Sequence, residues 1–158
     1  MTEINTAKYP SPELLDQINH LLPQLSTSAT SMTMEQLKDL LDSTAITLLV
    51  ATHEGRTVGM LTLAMFPLPT GMRAWIEDVV VDAGARGLGV GALLTTTAIE
   101  HATRHGAVTV DLTSRPAREA ANALYRKVGF VLRETNVYRY LIESVSYTHL
   151  TLPTIYSV

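Results

Sequence analysis

Between Ile76 and Gly91 the sequence reads IEDVVVDAGARGLGVG, an apolar β-branched run that passes through one arginine and alternating glycines into a stretch of helical period. A strand, a turn of unusual backbone freedom and a helix, in that order, confine the chain to folds that mix sheet and helix. Glycine turns the backbone where a side chain would clash and lets it approach a ligand closely. The amides that open the following helix lack carbonyl partners and lie at the positive end of its dipole, which suits phosphate oxygens. The segment therefore points to a phosphate-bearing ligand. A glycine-rich connection needed only for packing is the plainer alternative.

The elements around it follow from period and punctuation. Ser11-Pro12-Glu13 supplies the N-cap, N1 proline and early acid of a helix start. Leu14, Leu15, Ile18, Leu21, Leu22 and Leu25 then recur on one face, with Pro23 expected to end or kink the helix. Thr33, with Gln36 three residues on, is a capping box for a second helix carrying Leu37, Leu40 and Leu41. Residues 45–52 and 57–66, joined across His53-Glu54-Gly55-Arg56, predict an antiparallel hairpin, and residues 72–81 the next strand. A helix over 89–105 stopped by Gly106, a strand over 107–112 and a helix over 116–128 stopped by Gly129 follow. Two short strands at 130–133 and 137–142, and one at 3–7, complete the order. The expected class is α/β with a mixed, mostly antiparallel central sheet flanked by about four helices. One domain is expected over residues 1–143. Residues 144–158 carry no Asp, Glu, Lys or Arg and resemble translated vector read-through, so they stay outside the functional argument.

Charge and composition remove several functions. Twelve Lys and Arg against fifteen Asp and Glu, with no basic run, argue against a nucleic-acid-binding face. Cysteine is absent, which excludes a disulfide scaffold, a thiolate zinc site and a cysteine nucleophile. No stretch approaches the roughly 20 apolar residues of a membrane span, and the first residues lack the order of a signal peptide. A cytoplasmic protein without membrane or nucleic-acid partners is expected. His101 and His105 are spaced as a helical pair but lack a third ligand, so no metal is expected.

The choice among phosphate ligands narrows next. Ala92-Leu93 after Gly91 supplies neither the lysine nor the hydroxyl of a P-loop. Gly87, Gly89 and Ala92 satisfy the permissive dinucleotide pattern, with Asp111 further on, but Asp82 to Arg86 separate the first glycine from its strand. No second βαβ unit follows Val128, so a dinucleotide oxidoreductase is the lesser reading.

The spacing Arg86-x-x-Gly89-x-Gly91 after an acidic strand resembles the acetyl-CoA loop of the GNAT family of N-acetyltransferases. Asn122-Ala123-Leu124-Tyr125-Arg126-Lys127-Val128-Gly129-Phe130 is similar to that family's second signature, and the element order matches over residues 3–142. The resemblance implies acetyl-CoA as cosubstrate and direct attack of an amine on its thioester. It implies that the pantetheine arm lies between strands 72–81 and 107–112 against the backbone of Val79 and Val81. The pyrophosphate would lie on the amides of Arg86, Gly87, Leu88, Gly89, Val90 and Gly91, and Asn122 would bond the CoA arm. The N–H of Val80 or Val79 would polarise the thioester carbonyl. Tyr125 is the implied acid and Glu77 the implied base, with Asp78 second, because neighbours on a strand face opposite sides. Packing for Tyr125, a cross-strand ion pair for Glu77 and a place on the helix surface for Asn122 are the plainer alternatives. Arg115 and Arg118 could meet a phosphate or an acidic substrate group, with exposed charge the plainer reading. The implied partner is a small-molecule or peptide amine, its specificity set by Glu13 to Asp42, and a homodimer is compatible with the fold. A non-catalytic acyl-CoA-binding module is the alternative function.

Overall fold

The computed structural model describes residues 1–142; the expectation for residues 144–158 lies outside them. The elements are β1 (Thr2–Ala7), α1 (Pro12–Leu25), α2 (Met34–Asp42), β2 (Ile46–His53), β3 (Arg56–Leu68), β4 (Gly71–Val81), α3 (Val90–Arg104), β5 (Thr109–Asp111) and α4 (Glu119–Val128). One sheet runs in the order β1-β2-β3-β4-β5. The first three pairings are antiparallel and β5 lies parallel to β4, the mixed, mostly antiparallel class expected.

Local chemistry sets the helix starts. Ser11 Oγ accepts the Leu14 N–H at 3.1 Å, and Thr33 and Gln36 exchange both bonds of a capping box, at 3.1 and 2.9 Å. Pro23 does not stop α1, which runs on to Leu25. A proline in the last turn removes one backbone bond, and the Ser26 N–H still reaches the Leu22 carbonyl at 3.0 Å.

Alternation along β2 builds a core on each side of the sheet. Leu48 and Val50 join Met60 and Val80 beneath Ile18 and Leu21 of α1 and Leu37 of α2. Leu49 and Ala51 join Leu61, Leu63 and Ile76 beneath Val90, Leu94, Ala98 and Ala102 of α3. Both faces are covered, which is why these strands read as nearly continuous apolar runs. Burying a leucine such as Leu21 or Leu94 contributes about 1.5–3 kcal/mol, and these side chains tie α1 and α3 to opposite faces.

Three expectations are corrected. The strand expected over 107–112 is paired only at 109–111, because β4 and the chain after Asp111 diverge. The helix expected from Pro116 begins at Glu119; Asn122 Nδ2 donates to the Arg115 carbonyl at 3.0 Å and ties down the turn before it. The strands expected at 130–133 and 137–142 do not form. Phe130 packs against the core, but Val131 and Tyr138 beyond it are 81% and 88% exposed. Apolar alternation makes a segment fit for a ladder but does not supply the neighbouring strand, and a lone hairpin is marginal in water.

Candidate active site

β4 is the strand on which the sheet opens. It pairs with β5 at Arg73, Ala74 and Trp75, whose partners are Thr109, Val110 and Asp111, and beyond Trp75 its only neighbour among the described residues is β3. Asp82 donates its N–H to the Val58 carbonyl at 2.7 Å. Counting back by the period of a ladder, the peptide groups of Val80 also face β3, and the Val80 carbonyl lies 3.0 Å from where a Cβ on Gly59 would stand. The peptide groups of Val79 and Val81 therefore point to the open edge, where another extended chain can pair.

A bulge reshapes the same stretch. Met60 pairs with Val80 and Thr62 with Glu77, so β4 spends one more residue than β3 over this interval. The extra residue falls at Asp78–Val79, and Asp78 takes φ +52°, a left-handed conformation that aspartate tolerates better than most side chains. Glu77 and Asp78 thus escape strict alternation. Both are exposed and both line one cleft, which corrects the expectation that only one of them faces it.

That cleft has Ile76, Glu77, Asp78 and Val79 of β4 on one side, and Leu112 and Thr113 after β5 on the other. Tyr125 of α4 and Arg118, the N-cap of that helix, close it, with Leu25 from the end of α1. Tyr125 is 8% exposed, its ring edge-on to Phe130 at a centroid distance of 5.9 Å. Burial pushes its hydroxyl pKa up, with Arg118 acting weakly in the other direction, so the group keeps its proton at neutral pH. Asn122 does not line the cleft; its amide is turned to the Arg115 carbonyl. Arg118, for which exposed charge is the plainer sequence reading, does.

After β4, a single 3-10 turn at Ala83–Ala85 leads to the glycines. Gly87 and Gly89 have φ +87° and +77°, with nothing within 4 Å of an added Cβ, so conformation rather than space calls for glycine there. Gly91 is different. Its added Cβ would stand 3.1 Å from Leu124 Cδ2, so a glycine here lets α4 pack closely on α3. Gly89 is the N-cap of α3 and gives it no side-chain cap, and the first helical bond runs from the Leu93 N–H to the Gly89 carbonyl at 3.1 Å. The amides of Val90, Gly91 and Ala92 are left at the positive end of the helix dipole, with exposed Arg86 and Leu88 beside them.

One further contact joins the glycine turn to α1. Gln24 Nε2 donates to Asp82 Oδ1 at 2.7 Å, and the Ala83 N–H donates to Gln24 Oε1 at 2.9 Å. His20 Nε2 lies 3.5 Å from the same carboxylate oxygen. The Gln24 hydrogen bond holds the Asp82 carboxyl below the usual carboxylate range; burial opposes it and His20 and Arg56 assist. Sequence reasoning missed Gln24, because nothing local marks a partner 58 residues away. The histidine pair has a structural account. His101 and His105 stack at 4.2 Å, and His101 Nε2 meets Thr47 Oγ1 at 3.3 Å. Among the described residues no three His, Cys, Asp or Glu side chains are grouped to hold a metal ion.

Comparison with known proteins bears on this geometry. The family model described as acetyltransferase (GNAT) family matches residues 14–130. N-alpha-acetyltransferase MAK3 of Arabidopsis thaliana is 30% identical over 103 residues, 65% of this chain and 54% of its own length. The chain thus spans about half the length of that curated relative. Among solved structures, an acetyltransferase of Trypanosoma brucei superposes with a TM-score of 0.74 at 28% identity, over 89% of this chain and 100% of that one. A protein titled as a transcriptional regulator from Bacillus halodurans superposes with a TM-score of 0.78 at 25% identity, over 89% and 100%.

Proposed function

The chain belongs to the GNAT family of acetyltransferases, and from that membership we propose that it moves an acetyl group from acetyl-CoA to a primary amine. One observation carries the reading: the unpaired edge of β4 at Val79–Val81 runs directly into the uncapped, glycine-lined start of α3. An extended amide-bearing arm ending in a pyrophosphate needs those two features end to end. The residues present fit it. The peptide groups of Val79 and Val81 would hold the pantetheine arm, and the amides from Arg86 to Gly91 the pyrophosphate.

Bound acetyl-CoA supplies an acyl group activated as a thioester. The chain's own residues do the rest. Of the two amides first considered, Val80 is turned to β3, so polarising the thioester oxygen falls to the Val79 N–H. An acceptor amine with a pKa near about 10 arrives mostly protonated. Glu77, with Asp78 beside it in the cleft, takes that proton directly or through water. As the C–N bond forms and the C–S bond breaks, Tyr125 gives its hydroxyl proton to the departing sulfur, and the second proton that the nitrogen sheds on becoming an amide returns to the tyrosine oxygen through water. The burial that keeps this proton in place at neutral pH suits the role.

The acceptor enters beside Leu25 and α1. The name of the Arabidopsis relative makes peptide α-amines the first class to try. Among the described residues no helix is long and apolar enough to cross a membrane, and we place the reaction in the cytoplasm. The test is CoA release by the full chain with acetyl-CoA and panels of peptide α-amines, lysine side chains and amino sugars. Acceptor-dependent release that falls in Tyr125→Phe is the expected result. Acetyl-CoA binding with no turnover on any panel would replace this reading with a non-catalytic acyl-CoA-binding module.

A further inference from the structure

Resting on the acetyl-transfer reading above, we propose that Arg118 selects the acceptor: the amine this chain acetylates carries a carboxylate or phosphate, which Arg118 binds while the ammonium faces Glu77 and Asp78. The cleft has walls of opposite charge. Glu77 and Asp78 stand on the β4 side, Arg118 stands at the start of α4, and Tyr125 lines the cleft with them. Among the described residues no ion pair joins the arginine to either acid, or any of the three to another side chain. Both signs of charge are therefore left to a ligand. A simple cation would meet the guanidinium as a like charge, and a simple anion would meet two carboxylates. A molecule with an ammonium at one end and an anion at the other satisfies both walls.

The arginine stands at the acceptor end of the site. The proposed pyrophosphate cradle is the run of amides from Arg86 to Gly91, and none of those residues lines this cleft. A strand advances about 3.3 Å per residue, so Glu77 lies on the order of 10 Å before Val81, with the glycine turn further on. An arginine beside Ile76 to Val79 is thus placed for the acceptor rather than for the pyrophosphate. Its charge also reaches the Tyr125 hydroxyl, where it works against the burial that raises that pKa. The side chain suits the task, because a planar guanidinium takes two oxygens of a carboxylate or phosphate side by side and keeps its charge. Backbone bonds hold it in place. The Asn122 N–H donates to the Arg118 carbonyl at 3.0 Å, and Asn122 Nδ2 donates to the Arg115 carbonyl at 3.0 Å, so neither bond needs the arginine side chain.

Acceptor pairs that differ only in the anion test this. One pair is a peptide beginning with aspartate against one beginning with asparagine; the other is an amino-sugar phosphate against the free amino sugar. The full chain is expected to favour the anionic member of at least one pair by roughly 10- to 100-fold in kcat/KM, the usual scale of a hydrogen bond to a charged group. The pair that shows the preference tells carboxylate from phosphate. Arg118 is exposed, so Arg118→Gln and Arg118→Lys are both expected to fold. The glutamine is expected to erase the preference through the acceptor KM while the KM for acetyl-CoA holds, and the lysine to restore part of it. Equal rates within both pairs, or a loss in Arg118→Gln that falls on the KM for acetyl-CoA with the preference intact, would overturn the inference and leave acetyl transfer standing. CoA release with no acceptor at all would overturn the transfer reading and the inference with it.

Discussion

Asp78 holds φ +52° in the later half of β4, beside the cleft, at a cost of roughly 1–2 kcal/mol for a residue with a Cβ. Its backbone role and any proton-transfer role can therefore be separated. Asp78→Asn or Asp78→Gly preserves the bulge, and either is expected to keep the melting temperature and most of the activity. Glu77→Gln is expected to lower kcat by about 10²-fold or more, the usual scale for removing a general base. The reverse pattern would make Asp78 the base. Tyr125→Phe is expected to lower kcat on the same scale while the KM for acetyl-CoA holds. Because burial raises the tyrosine pKa, the neutral form is favoured in the fold. Its contribution to stability is complete below the ordinary value of about 10 and is lost as pH rises through the folded value. The rate should fall over that alkaline range in the parent and show no such limb in Tyr125→Phe. The glycines divide in the same way. Gly89→Ala forces a side chain into φ +77° and should lower both the melting temperature and acetyl-CoA affinity. Gly91→Ala has no positive φ to strain and meets the ends of two side chains, Leu124 Cδ2 at 3.1 Å and Val81 Cγ2 at 3.7 Å, so its loss of affinity should be smaller. Paired melting curves and Kd measurements check both.

At the scale of elements, α1 does more than cover the sheet. Gln24 fastens its last turn to Asp82 and Ala83, the first residues after β4, so the helix beside the proposed acceptor entrance is tied to the turn that would hold the pyrophosphate. Gln24→Ala is expected to raise the KM for acetyl-CoA several-fold with little change in kcat at saturation. Asp82 supplies a second readout. A carboxyl held below its usual value adds stability above its unfolded pKa, and that stability is lost as pH falls through the folded value. Acidification from pH 5 to pH 3 should therefore lower the melting temperature of the parent more than that of Gln24→Ala. Legibility at this scale tracked distance along the chain. The caps at Ser11 and Thr33, the hairpin turn at His53–Arg56 and the glycine stops are written within a few residues of where they act. The bulge at Asp78 and the Gln24 clamp are not. Each depends on the register or approach of segments far apart in sequence, and IEDVVV contains no glycine or proline to announce a break.

At the scale of the molecule, the class and order of the elements up to α4 were readable because apolar period changes cleanly from helix to strand at Ile46. The glycine turn before α3 was readable because three glycines and an arginine in one run mark a sharp break between strand and helix. The cleft was readable only in part. Tyr125, Glu77 and Asp78 were named in advance and Arg118 was singled out as a charge, whereas Thr113 and Leu25 reach the cleft from segments far apart in sequence, which no local pattern encodes. The last segment shows the same limit from the other side: residues 137–142 alternate as a strand does, but alternation does not supply a partner, and they form no strand in the structure.

Thermal unfolding of the full chain with acetyl-CoA, and separately with NAD, tests the central claim most directly. A ligand at about 100 times its Kd adds roughly 2.7 kcal/mol to the folded state, and each kcal/mol raises the melting temperature by about 2–4 °C in a protein of this size. A rise of about 5–10 °C with acetyl-CoA and none with NAD is the result expected from an open β4 edge leading into the uncapped start of α3. A cooperatively folded chain that acetyl-CoA leaves unmoved, or that NAD stabilises instead, would contradict it.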